Sequence, residues 1–271
     1  MRQDERSSGS AGRWGPMFGA RARDWAETWE GPLGWGTPVY EYVLDRTAVG
    51  SNTTLLDCGC GAGRFPRMAA DRGAAVAGID AAAALIAIAG ERTSEGDFRV
   101  GDLEALPWPD DSFDLVTGFS AFQFADDKVR ALSEAGRVAR GDVVVVIPVR
   151  TAESGIPEVF KSLVPLFPPE ALASMKETGM FALSEPGKLE HVISAAALRP
   201  YDDEEIECPI VFEDLTTAVR AFVGAGPAAA AVANAGEPAV TEAARAGVDP
   251  FTDEDDRVVL PAWYRVVLTR P

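Results

Sequence analysis

The chain has 271 residues, nearly half of them apolar, which is enough for one large domain with a buried core and excludes wholesale disorder. Its 42 acidic residues outweigh 25 basic ones, giving a net charge of −17 with only four lysines and one histidine. Beyond keeping the protein soluble, such a field disfavours nucleic acid and anionic membrane and suits a neutral or cationic small partner.

Residues 1–12 are polar and read as a disordered tail; they lack the apolar stretch of a secretory signal. The three cysteines, Cys58, Cys60 and Cys208, suggest neither a disulfide framework nor a metal site, which fits a reduced, cytoplasmic setting. Residues 18–29 read as a helix in which Trp25 and Trp29 share a face. Four of the six tryptophans (Trp14, Trp25, Trp29, Trp35) fall just ahead of the first strand. Residues 13–50 are therefore expected to form an aromatic cap, packed on the sheet edge or folded over a bound small molecule.

From residue 54, short apolar runs at 54–59, 74–80, 98–102, 113–119 and 142–149 alternate with helical stretches at 64–71, 81–93 and 127–140. Strands without polar alternation, joined by helices, predict a parallel sheet covered on both faces. Proline-rich residues 156–169 break this rhythm, and 151–186 and 213–257 are expected to be lid or insertion segments. Between and after them come a helix over 187–198, a strand over 205–212, a helical stretch over 215–245 and a last strand over 262–270. The longest apolar stretch, 81–90, is too short for a bilayer span, so no membrane partner is expected.

Residues 55–65 read "LLDCGCGAGRF", a strand that breaks into glycines. A phosphate-binding P-loop would need a Gly-Lys-Ser/Thr sequence, which is missing. The dinucleotide fingerprint G-x-G-x-x-G fails because Arg64 stands where its last glycine belongs, and Asp57 before the turn would repel a pyrophosphate. Two more acids, Asp80 and Asp102, end the next two strands. Either could be a plain helix cap or loop carboxylate, but three acids at the carboxyl ends of successive parallel strands line one crevice. An acid-lined G-x-G-x-G turn points to a ligand with a positive group and no phosphate. S-adenosylmethionine has that character, with Asp80 placed for its ribose and Asp102 for its adenine.

"LLDCGCGAGRF", "AGIDAAAALI", "GDLEALPWPDDSFDLVTGFSAFQF" and "EAGRVARGDVVVVIP" together resemble the successive motifs of class I S-adenosylmethionine-dependent methyltransferases of small-molecule type, similar to those of ubiquinone and menaquinone synthesis. The resemblance covers about residues 50–150. It implies an α/β, Rossmann-like, seven-stranded sheet with an antiparallel last strand, within a single domain over 13–271. It further implies that Asp57, Gly59, Cys60, Gly61 and Gly63 hold the methionine moiety. Asp80 and Ala81 would hold the ribose, Asp102 and Leu103 would flank the adenine, and Gly118 and Phe119 would close the site. The chain departs from its relatives after the fourth strand, where "AFQF" stands in place of a frequent His or Trp.

Methyl transfer from a sulfonium is an in-line displacement, so positioning dominates and a base is needed only for a protonated acceptor. His191, Tyr40 and Gln123 are the candidates for that role, none of them singled out by its setting. A lid of Trp25, Trp29, Phe122 and Phe124 would suit an apolar or aromatic metabolite, methylated by a monomer or homodimer that needs no metal. A protein that binds S-adenosylmethionine but catalyses another reaction, or only binds, is the alternative, since fold and cofactor do not fix chemistry.

Overall fold

A computed structural model describes residues 9–271. Ahead of the sheet lie α1 (Ser10–Gly19), α2 (Ala22–Glu27) and α3 (Thr37–Arg46). The expected alternation follows as β1 (Thr54–Cys58), α4 (Arg64–Asp71), β2 (Ala75–Asp80), α5 (Ala83–Arg92), β3 (Asp97–Val100), β4 (Phe113–Phe119), α6 (Lys128–Val138) and β5 (Ala139–Val149). Next come α7 (Gly155–Leu163), α8 (Pro169–Thr178), α9 (Lys188–Ala195), β6 (Arg199–Glu207) and β7 (Ile210–Phe212). The chain closes with α10 (Leu215–Gly224), α11 (Ala228–Ala235), α12 (Glu237–Val248), β8 (Val258–Leu260) and β9 (Trp263–Arg270).

The seven-stranded sheet runs β3-β2-β1-β4-β5-β9-β6, with β1 to β5 parallel and β9 antiparallel to both its neighbours. Apolar side chains from β1, β4 and β5 enter separate cores on the two faces, Leu55 and Val144 on one, Leu56, Val116 and Val143 on the other. That double burial is why these strands read as continuous apolar runs rather than alternating ones. Strand order reverses at β1, which pairs with β2 on one side and β4 on the other. In open sheets of this kind, the crevice beyond the carboxyl ends at such a reversal is where ligands bind.

Four expectations need correcting. Of the predicted tail, residues 1–8 lie outside the described residues, but residues 10–12 are already in α1. The helix expected over 18–29 is two helices, and Trp29 sits just past the end of α2. The strand expected over 205–212 is also two. Pro209 has no N–H for the ladder, and Pro261 interrupts the partner strand opposite, so β7 and β8 leave the main sheet and pair with each other. The stretch over 215–245 divides into α10, α11 and α12; α12 packs on α10 and α7, joining the two insertion segments in one helical layer. Among the described residues no single helix is long and apolar enough to cross a membrane.

Candidate functional site

The carboxyl ends of β1, β2 and β4 open onto a cavity of about 510 Å³. One end is acidic. Asp57, at the end of β1, is 3% exposed, and its Oδ1 accepts a 2.7 Å hydrogen bond from Thr117 of β4. Burial pushes its carboxyl well above the usual range, and the charges of Glu30 and Asp80 add to the shift. Asp80, at the end of β2, accepts from the backbone N–H of Gly61 at 3.1 Å and of Ala82 at 2.8 Å. Desolvation pushes its carboxyl up to about 6, against the pull of those backbone donors.

The turn between β1 and α4 depends on glycine at two positions in particular. Gly61 has φ +55°, and a Cβ there would collide with the Glu30 carboxylate. Gly63, at φ +83°, begins α4 and lies against α5, where a Cβ would stand 2.9 Å from the Ala89 Cα. Its role is helix packing, and it does not line the cavity. Gly118 is also set back from the cavity, pressed beneath the Phe122 ring. The other expected cofactor residues, Asp57, Gly59, Cys60, Gly61, Asp80, Ala81, Asp102, Leu103 and Phe119, all line it.

The N-terminal segment covers this end. The start of α1 lies on Asp102: Ser10 Oγ and Ala11 N both donate to its carboxylate at 3.4 Å. Trp25 and Trp29 stack with ring centroids 5.8 Å apart and line the wall. Trp29 is also core, 5% exposed, with its indole N–H donating to the Ala221 carbonyl of α10 at 2.9 Å. The Arg64 guanidinium donates to Trp35 O and Pro32 O, each at 3.0 Å, so the residue that breaks the dinucleotide fingerprint anchors the loop after Trp29.

The other end of the cavity is apolar, walled by Phe160, Phe167, Leu172, Met175, Phe181 and Tyr264 from the insertions and β9. Phe124 lines the cavity, while Phe122 is 1% exposed and buried in the core below it. Of the candidate bases, Tyr40 alone reaches the cavity. Burial first, then the charges of Glu30 and Asp57, hold its phenol well above the ordinary range, so it stays protonated near neutral pH. Gln123 is buried and donates to the Met180 carbonyl at 3.3 Å. His191 on α9 lines a separate shallow depression with Lys128, Glu185 and Lys188.

Glu30 and Tyr264 also line the cavity, and neither was singled out in the sequence. Glu30 left one signal, a lone acid in the middle of "TWEGPLGW". Tyr264 left none, because a tyrosine in a strand reads as ordinary core.

Residues 56–147 match the family model described as a methyltransferase domain. Over this stretch the chain is similar to class I S-adenosylmethionine-dependent methyltransferases. The chain is 35% identical over 116 residues to the malonyl-[acyl-carrier protein] O-methyltransferase of Serratia marcescens, covering 43% of this chain and 46% of that one. To the enzyme of the same name from Pectobacterium atrosepticum it is 28% identical over 69% of each chain. A demethylmenaquinone methyltransferase of Thermotoga maritima is 31% identical over 39% of this chain and 45% of its own. The chain thus spans between 45% and 69% of the length of these curated relatives. Among solved structures, the [4+2]-cyclase SpnF shares the fold, with a TM-score of 0.54 and 22% identity over 86% of this chain and 79% of its own. S-adenosylmethionine is the cofactor of such methyltransferases, and a crevice lined by Asp57, Asp80 and Asp102, with no lysine or arginine among the described residues that line that end, fits its positive charge and lack of phosphate.

Proposed function

We propose that this methyltransferase transfers a methyl group from S-adenosylmethionine to a small apolar or aromatic metabolite. The observation that carries the reading is the cavity's division into an acidic end at the glycine turn and an apolar end beneath the insertions. The cofactor supplies an electrophilic methyl on a sulfonium. Asp57 and the turn from Gly59 to Gly61 hold the methionine end, Asp80 accepts from the ribose hydroxyls, and Asp102 with Leu103 borders the adenine. The aromatic walls exclude water and hold the acceptor in line, which is the larger part of catalysis in such a displacement.

The acceptor's chemistry follows from what the apolar end lacks. Among the described residues Lys161 is the only cation lining the cavity, and its amine bonds Glu158 at 2.5 Å with most of the side chain in solvent. A diphosphate, or the free carboxylate of a malonyl group, would therefore be desolvated there without a partner. Tyr40 and Tyr264 also line the cavity, and burial raises both phenols. Both stay protonated and can donate a hydrogen bond to an acceptor oxygen but cannot take its proton, so a phenol or quinol enters as its anion, its proton having gone to solvent.

The experiment is incubation of the chain with S-adenosylmethionine carrying a labelled methyl group, with phenols and quinols on one side and a malonyl thioester on the other. Label in the aromatic pool is the expected result. Label in the malonyl thioester alone would reverse the acceptor assignment. Cofactor binding with no methylated product across an extract of small metabolites would favour the non-methylating alternative.

A further inference from the structure

The amides at the start of α4 form the kind of donor cluster that dinucleotide-binding proteins offer to a pyrophosphate. Here the chain fills that cluster itself. Glu30, 7% exposed, accepts four hydrogen bonds on its two oxygens. Oε1 takes Ala62 N at 2.7 Å and Trp25 Nε1 at 2.7 Å; Oε2 takes Arg64 N at 3.1 Å and Arg92 Nη1 at 3.0 Å. Arg92 is fixed in turn by the Ala26 carbonyl at 2.6 Å. The carboxylate is thus held by two turn amides, an indole and a guanidinium, and Gly61 is bare of a side chain where it passes.

We propose that Glu30 is a positioning and specificity-determining residue: it occupies the anion-binding mouth of α4, reserves the glycine turn for a cofactor without phosphate, and fastens the aromatic cap to that turn. The inference rests on the reading that the turn holds the methionine end of S-adenosylmethionine. A phosphate brought to the turn would find its amide donors taken and would face the Glu30 charge together with those of Asp57 and Asp80, all lining one crevice. Through Trp25, the same carboxylate sets one aromatic wall of the cavity against the cofactor site.

The test uses the full chain as wild type, Glu30→Gln and Glu30→Asp, with calorimetric titration of S-adenosylhomocysteine and, as a phosphate-bearing adenosine probe, ADP. Wild type is expected to bind S-adenosylhomocysteine and to ignore millimolar ADP. In Glu30→Gln, which keeps the shape but lacks the charge, affinity for S-adenosylhomocysteine should drop about tenfold or more, because charge-assisted bonds are lost. ADP binding should appear, a gain that loosening of the fold cannot produce. Glu30→Asp keeps the charge but cannot reach all four donors. It should reject ADP better than the glutamine variant, and it carries the test alone, by admitting weak ADP binding, if Glu30→Gln does not fold. Two results overturn the proposal. One is ADP rejected by both variants as by wild type; the other is tighter S-adenosylhomocysteine binding in Glu30→Gln, which would make the carboxylate a competitor of the cofactor. Failure of wild type to bind S-adenosylhomocysteine would instead remove the proposed function.

Discussion

Asp80 combines two opposed requirements, since its surroundings favour the neutral acid while a ribose diol needs the carboxylate. With the carboxyl pushed up to about 6 from an ordinary value of 3.8, the folded chain binds more protons than the unfolded chain between those two pH values. Stability from this group therefore falls as pH rises through that window. Cofactor binding should run the other way, because hydroxyls donate only to the ionised form. The dissociation constant of S-adenosylhomocysteine should be flat above about pH 7 and rise by up to about tenfold per unit below about 6. Asp57, raised by its own burial, works in the same direction. Asp80→Asn separates the two: affinity at pH 7.5 should fall by roughly 2–4 kcal/mol, since charge-assisted bonds are the strong ones, and the remaining pH slope should be shallower. Calorimetry at three pH values on both proteins reads this out, and a wild-type curve that stays flat down to pH 5 would place the ribose away from Asp80.

Among the elements, those fixed by local chemistry were legible and those fixed by distant contacts were not. β1, its glycine turn and α4 were legible because an apolar run, three glycines and an amphipathic helix each act within a few residues. α1 was not, because its reason for forming is tertiary: Ser10 and Ala11 meet Asp102, and the Trp14 indole donates to the Phe124 carbonyl at 3.0 Å. A polar stretch such as "SSGSAG" carries no sign of that. Removal of residues 1–12, which a disordered tail would tolerate silently, is now expected to weaken S-adenosylhomocysteine binding several-fold with an unchanged circular dichroism spectrum, since the Asp102 contacts are lost and the core is not touched. For Trp29 the two alternatives, packing and lining the cavity, hold together. Its ring meets Phe212 and Phe222 edge to face at 5.5 and 5.2 Å, so Trp29→Ala should cost about 3–5 kcal/mol of stability, as for other large core aromatics. Chemical denaturation measures that loss. A loss under about 1 kcal/mol would return the residue to a purely peripheral cap.

On the scale of the whole molecule, a net charge of −17 surrounds a crevice lined by carboxylates, and the two fields add. The parallel sheet and its crevice of strand-end acids were legible, because apolar runs joined by helices each ended on an acid at the carboxyl end of a parallel strand. The shape of the acceptor end was not, because α7, α8 and α10 to α12 assemble it from segments far apart in sequence. Linkage makes the first global prediction: S-adenosylhomocysteine at a hundred times its dissociation constant should stabilise the fold by about 2.7 kcal/mol. For a domain of this size that corresponds to a rise of roughly 5–10 °C in Tm, readable by differential scanning calorimetry, and no shift at millimolar ligand would remove the cofactor assignment. Charge makes the second. S-adenosylmethionine differs from its product by one methyl and one positive charge, so the acidic field acts on the substrate form and largely spares the product. Raising sodium chloride from about 50 to 500 mM shortens the Debye length from roughly 14 to 4 Å, which screens the surface contribution but leaves the buried carboxylates nearly untouched. Affinity for S-adenosylmethionine should therefore fall several-fold over that range while that for S-adenosylhomocysteine changes little. Equal salt dependence of the two would mean that the molecule's net charge plays no part in drawing in its substrate.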